Sequence, residues 1–139
     1  PMNLYDTFAT NTQAEKDGFE LVLSDGPDFR LAFVLARAGG SNTKFATRLQ
    51  ALMKPHRFAH EKGTMDTGKA EAILAQVIAE TVIVDWQGVM DKKGKPVKFS
   101  VEAAAKLMID LPELRSVIYE EAQRISNFQA MEREEASGN

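Results

Sequence analysis

Two alternating apolar runs set about a turn constrain this chain more than any other feature. Phe19, Leu21 and Leu23 alternate with Glu20 and Val22, and Phe29, Leu31, Phe33 and Leu35 alternate with Arg30, Ala32, Val34 and Ala36. A period of two sends such side chains to one face of a strand. Between the runs, Ser24-Asp25-Gly26-Pro27-Asp28 offers a glycine free to take positive φ and a proline with φ fixed, which is turn chemistry. The pattern predicts a β-hairpin over about residues 19–36. Two strands alone are marginal in water, so the hairpin must lay its apolar face on other elements. The rest of the sequence offers helices. The fold class predicted is α+β, mostly α-helical, with the hairpin packed on four to five helices.

The helices follow from their spacing. Gly39-Gly40 ends the second strand, and Ser41 or Asn42 is placed to cap the next element. Phe45, Leu49, Leu52 and Met53 stand at i, i+4, i+7 and i+8, an amphipathic helix that Pro55 interrupts. A short helix over 55–62 has Pro55 at its start and Gly63 past its end. Asp66 or Thr67 then caps a longer helix whose apolar positions are Ala70, Ile73, Leu74, Val77, Ile78 and Val82. Its last stretch, Thr81-Val82-Ile83-Val84, is β-branched, which allows a strand-like end, but the upstream period favours helix. Trp86 marks the junction with a polar loop, Asp91-Lys92-Lys93-Gly94-Lys95-Pro96, expected to face solvent. Ser100 caps a helix with Val101, Ala104, Ala105 and Met108 on one face. Asp110-Leu111-Pro112-Glu113 restarts the chain as a last helix in capping-box fashion. Leu114, Val117, Ile118, Ala122, Ile125 and Phe128 form its stripe. Residues 2–17 show no period and read as an arm or short docked segment, and Pro1, ahead of Met2, as a cloning remnant. The expected organisation is one domain over 2–128 and a charged, frayed or disordered tail over 129–139.

With 139 residues and no cysteine, the chain is long enough to bury roughly 68% of its unfolded surface without disulfides. No apolar run approaches the ~18 residues of a membrane span, and the expectation is a soluble cytoplasmic protein. The formal charge is −3, unevenly spread: residues 37–69 hold seven Lys/Arg against two acids. That basic stretch, with Phe58 inside it, is the segment through which a small nucleic-acid-binding protein would work. The acidic whole and the lack of a recognition motif argue against nucleic acid as a partner.

No constellation of catalytic residues emerges, and no enzyme is expected. His56 and His60 have the i, i+4 spacing of helical metal ligands, but Arg57 occupies the position where a zinc hydrolase carries its glutamate. Gly39-Gly40-Ser41-Asn42 lacks the Lys-Ser/Thr pair of a phosphate-binding loop. No serine sits in a Gly-x-Ser-x-Gly elbow. No cofactor and no metal are expected. Trp86 is the only tryptophan, a residue favoured both in cores and at interfaces.

Taken in order, several segments point further. Arg37-Ala-Gly-Gly-Ser-Asn42, Phe45, Lys54-Pro-His-Arg57 and Gly63-Thr-Met-Asp66 precede Ala79-Glu-Thr-Val82, Asp85-Trp-Gln-Gly88 and the 91–96 loop. Phe99-Ser100, Leu111-Pro-Glu-Leu114 and Ile125-Ser-Asn-Phe128 follow. This order, from about residue 29 to 128, resembles the tail assembly chaperones of long-tailed bacteriophages. The resemblance implies a non-virion protein of the host cytoplasm that binds the tape measure protein and helps recruit tail tube subunits. It also implies a longer frameshifted form that contacts the tube protein, this chain corresponding to the short form. Self-association is a further expectation. Candidate partner-binding residues are Phe45, Leu49, Leu52, Met53, Met65, Trp86 and Met108, apolar or adaptable side chains for an amphipathic segment. Core packing competes for each of them on helical periodicity. The alternative reading is a structural minor tail component kept in the virion.

Overall fold

The computed structural model describes residues 1–129. Its elements are α1 (Leu4–Phe8), α2 (Thr12–Asp17), β1 (Phe19–Asp25), β2 (Arg30–Leu35), α3 (Thr43–Met53), α4 (Arg57–Glu61), α5 (Thr67–Thr81), β3 (Ile83–Gln87), α6 (Val101–Asp110) and α7 (Pro112–Gln123), with short 3-10 turns at Lys54–His56 and Ile125–Phe128. The class is α+β and mostly helical. The three strands form one antiparallel sheet in the order β1-β2-β3, with Phe19 opposite Leu35 and Phe33 opposite Trp86.

β3 corrects the sequence reading, which ran the preceding helix through Val82 and beyond. The helix stops at Thr81, and Ile83–Gln87 pairs with β2. The physical reason is that β2 has a second edge whose backbone groups need partners. A β-branched run, stiff at χ1, satisfies them at less cost than it would extend a helix. The Ala36 N–H donates to the Val82 carbonyl at 2.7 Å at this junction.

As the central strand, β2 is the best covered. Phe33 and Leu35 join Ala75, Val77 and Ile78 of α5, Ala104 and Met108 of α6, and Ile118 and Ala122 of α7 in one core. Ala32, on the opposite face, is hidden between Val22 and Gln87 of the neighbouring strands. Burial fades toward the hairpin tip: Leu21 and Leu31 are half-buried, whereas Leu23 and Phe29 are exposed. There Arg30 ties the sheet together, donating to Glu20 on β1 and Gln87 on β3.

Two caps differ from expectation. Neither Ser41 nor Asn42 caps α3 with its side chain. Asn42 instead donates to the carbonyls of Arg37 and Thr81 at 2.8 and 2.9 Å, and Ser41 turns to Glu15. No capping box starts α7: Asp110 ends α6 and bonds Lys106, while Leu111 and Pro112 open the next helix. Asp66 and Ser100 do cap α5 and α6.

The N-terminal segment is docked through α2. Glu15 is 2% exposed and pairs with Arg37, accepts from the Ser41 hydroxyl at 2.9 Å, and faces the Ser41 N–H at 3.4 Å. Burial by itself raises this carboxyl. Hydrogen bonds from Arg37, Ser41 and Thr10 outweigh that and hold it below the usual carboxylate range. At the other end, Gln129 is buried and donates to the carbonyls of Thr7 and Ala9, so it belongs to the domain rather than to a tail. The rest of the expected tail, 130–139, lies outside the described residues.

Candidate functional site

The hollow that best qualifies as a site lies between α6, the end of β3 and the loop that follows it. It is an open groove of about 580 Å³ with Trp86, Val89, Val97, Ala103, Leu107 and Leu111 along its floor and sides. On its edge stand Met90, Asp91, Lys92, Lys93, Lys95, Lys106 and Asp110. A second hollow of about 650 Å³ shares Trp86, Val89, Met90 and Val97 and is bounded by Phe29 and Phe99.

Each wall is locally fixed. α6 carries its charges on one narrow stripe, Glu102, Lys106 and Asp110 at i, i+4 and i+8, and is apolar elsewhere. Ala104, Ala105 and Met108 face the core; Ala103, Leu107 and Leu111, at i, i+4 and i+8, line the groove, with Leu107 half-buried and also packed on that core. A helix apolar on both sides needs cover on both sides. The Arg115 guanidinium donates to the Met108 carbonyl at 3.0 Å and pins the carboxyl end of α6. Trp86 donates from Nε1 to the Val97 carbonyl at 2.8 Å and stands edge-on to Phe33 and Phe99. Gly88, at φ +83°, passes so close to β2 that a Cβ there would lie 2.1 Å from the Arg30 carbonyl oxygen.

The lysine loop is a closed turn. The Asp91 carboxylate accepts from the N–H groups of Lys93 and Lys95 at 2.8 and 2.9 Å, and Met90 bridges Pro96. Lys106 bonds Asp110 at 2.6 Å. That bond, with the nearby charges of Lys106 and Lys92, holds the Asp110 carboxyl below the usual range. Among the described residues, Lys92, Lys93 and Lys95 pair with no carboxylate. The groove therefore combines an apolar floor with an edge on which four lysines outnumber two aspartates.

The structure does not gather the sequence-derived candidates. Phe45 is buried against Tyr119, and Met108 is wholly covered in the core. Leu49 and Leu52 pack on that core from α3, and Met53 and Met65 are half-buried away from the groove. Trp86 alone of the seven lines the groove. Leu107, Leu111 and the three loop lysines were missed; the i, i+4, i+8 spacing of Ala103, Leu107 and Leu111 beside the core-facing set is the signal that could have found the stripe. Gly39-Gly40-Ser41-Asn42 is used internally, and the Ser41 N–H faces a carboxylate, which disfavours an anion there. Among the described residues no group of three or more His, Asp or Glu could hold a metal ion.

The comparisons agree with a phage-derived protein. Residues 40–139 match the profile of the YdaY prophage protein family, and the chain belongs to that family. The matched region contains every residue of the groove. No curated protein and no solved structure matches the chain. No helix among the described residues is long and apolar enough to cross a membrane.

Proposed function

We propose that this prophage protein is a non-catalytic tail assembly chaperone that binds the tape measure protein and helps recruit tail tube subunits around it. The groove is the observation that carries the reading. A chaperone for a long helical protein has to offer unpartnered apolar surface to helix faces while its own core stays closed. Here the second stripe of α6 does the first, and the sheet with the inner stripe does the second. Met90, 47% exposed on the edge, is a side chain that adapts to varied partners. The order of segments that resembles tail chaperones suits the same reading, and the prophage family is consistent with a phage origin. The protein then acts in the host cytoplasm and is left behind when the virion is complete.

The test is affinity capture of the tagged protein from phage-producing cells. Tape measure protein should co-purify, with tube protein in support, and purified particles should lack the chain. Retention in particles would make it a structural minor tail component. A second reading draws on Phe58, 74% exposed within the basic stretch 37–69, with the Lys62 ammonium 5.6 Å from its ring. Capture of nucleic acid alone, falling steeply with salt, would favour that reading.

A further inference from the structure

We infer that the groove selects an acidic amphipathic helix, with apolar residues at i, i+4 and i+7 or i+8 flanked by Asp or Glu. This rests on the reading of the protein as a binder of helical partners. Ala103, Leu107 and Leu111 form a stripe about 12 Å long, at ~1.5 Å per residue, the length of two turns of a partner helix. Leu111 is 47% exposed, so the stripe is open at its end.

Charge decides among apolar occupants. Lys106 pairs with Asp110, and of the six charged residues lining the groove four are lysines and two, Asp91 and Asp110, are aspartates, so a net positive charge remains. Lys92, Lys93 and Lys95 remain to face whatever lies in the groove. An acidic flank pairs with them, a neutral flank crowds them without compensation, and a basic flank is repelled. A nucleic acid would use the lysines but not the floor. The Trp86 N–H is already engaged by the Val97 carbonyl, so it is not free to read a base edge.

Trp86 is the only tryptophan in the chain and lines the groove, so its fluorescence reports occupancy directly. Three helical peptides of about 20 residues, long enough to hold a helix, share one apolar stripe and differ only in flanks of Glu, Gln or Lys. Titrated against the full chain, the Glu peptide should shift the Trp86 emission and bind tightest, weakening as salt rises. Changing Lys92, Lys93 and Lys95 together to Gln should weaken it roughly tenfold, the sum of three exposed ion pairs. Leu111→Glu should abolish the shift, and unchanged circular dichroism should show both variants folded.

Equal binding of all three peptides, or no effect of the lysine changes, would overturn the charge selection. So would competition of an oligonucleotide for the same Trp86 signal. If wild type and Leu111→Glu capture tape measure protein equally and no peptide shifts Trp86, the groove is not the docking site, and the chaperone reading stands without it. If the Glu peptide binds as described but cells yield no tail protein, the groove specificity stands and the chaperone reading falls.

Discussion

Glu15 offers the sharpest test of how the N-terminal segment is held. Its carboxylate is almost wholly covered and is the acceptor for Arg37 and for the hydroxyl and N–H of Ser41. Glu15→Ala removes that acceptor and strands the Arg37 guanidinium, whose side chain is only 19% exposed. Breaking a fully buried ion pair from one side costs about 3–5 kcal/mol. Arg37 keeps some solvent and lies 5.9 Å from the Phe128 ring centre, so the lower end, about 3 kcal/mol, applies. For a domain of this size that lowers Tm by roughly 10 °C, read by thermal melting at neutral pH. Glu15→Gln keeps an acceptor for Ser41 but no charge, and should lose about half as much. The pH dependence has a definite sign. Because the folded carboxyl is lowered, its contribution is complete above the ordinary glutamate value of about 4.3. It fades as pH falls from there through the folded value. The gap between wild type and Glu15→Gln should therefore narrow below about pH 4.3. An alanine variant melting within about 2 °C of wild type, or a gap flat across the acid range, would refute the buried-staple argument.

Four further outcomes follow from the same geometry. Asn42→Ala leaves the Arg37 and Thr81 carbonyls without their side-chain donor and should cost about 2 kcal/mol by denaturant titration. Gly88→Ala forces a side chain against the Arg30 carbonyl at a positive φ; hydrogen exchange should show protection lost along the β2–β3 pairing. Trp86→Phe keeps an aromatic edge contact but loses the bond to the Val97 carbonyl, for a loss of about 1 kcal/mol in a melt followed by circular dichroism. Changing His56 and His60 together to Ala should alter stability by under about 0.5 kcal/mol and leave zinc titrations as featureless as those of wild type.

The parts of the fold legible in the sequence are those whose signal is local. Period two around Gly26-Pro27 marks the hairpin, and the spacing from Ala70 to Ile78 marks α5. β3 was only half legible, its β-branched residues marking a possible strand, because Val82, Ile83 and Val84 satisfy both helix and strand patterns. The deciding fact, an open edge on β2, lies about fifty residues upstream. Glu15 was hidden, since one acid in an unpatterned arm carries no mark of burial until Arg37 and Ser41 fold against it. Of the candidate site, Trp86 was legible as an aromatic at a junction. The groove was not, because half its floor is the back of a helix whose front already explained its apolar residues. Phe45 and Met108 show the converse: helical spacing finds the buried stripe first, and a binding stripe is what remains after the core has taken its share.

The chain closes on itself across almost its whole described length. The Asn11 N–H donates to the Phe128 carbonyl, Gln129 reaches Thr7 and Ala9, and the Phe128 ring stands edge-on to Phe19. During synthesis Thr7, Ala9, Asn11 and Phe19 emerge many seconds before Phe128 and Gln129, at roughly 5–20 residues per second. The bonds that tie α1 and Asn11 to the end of the domain therefore wait for Phe128 and Gln129, whereas α2 can already meet Arg37 and Ser41. Anything that must meet the nascent protein before it finishes folding has that interval, and the clasp between Asn11 and Phe128 is what ends it.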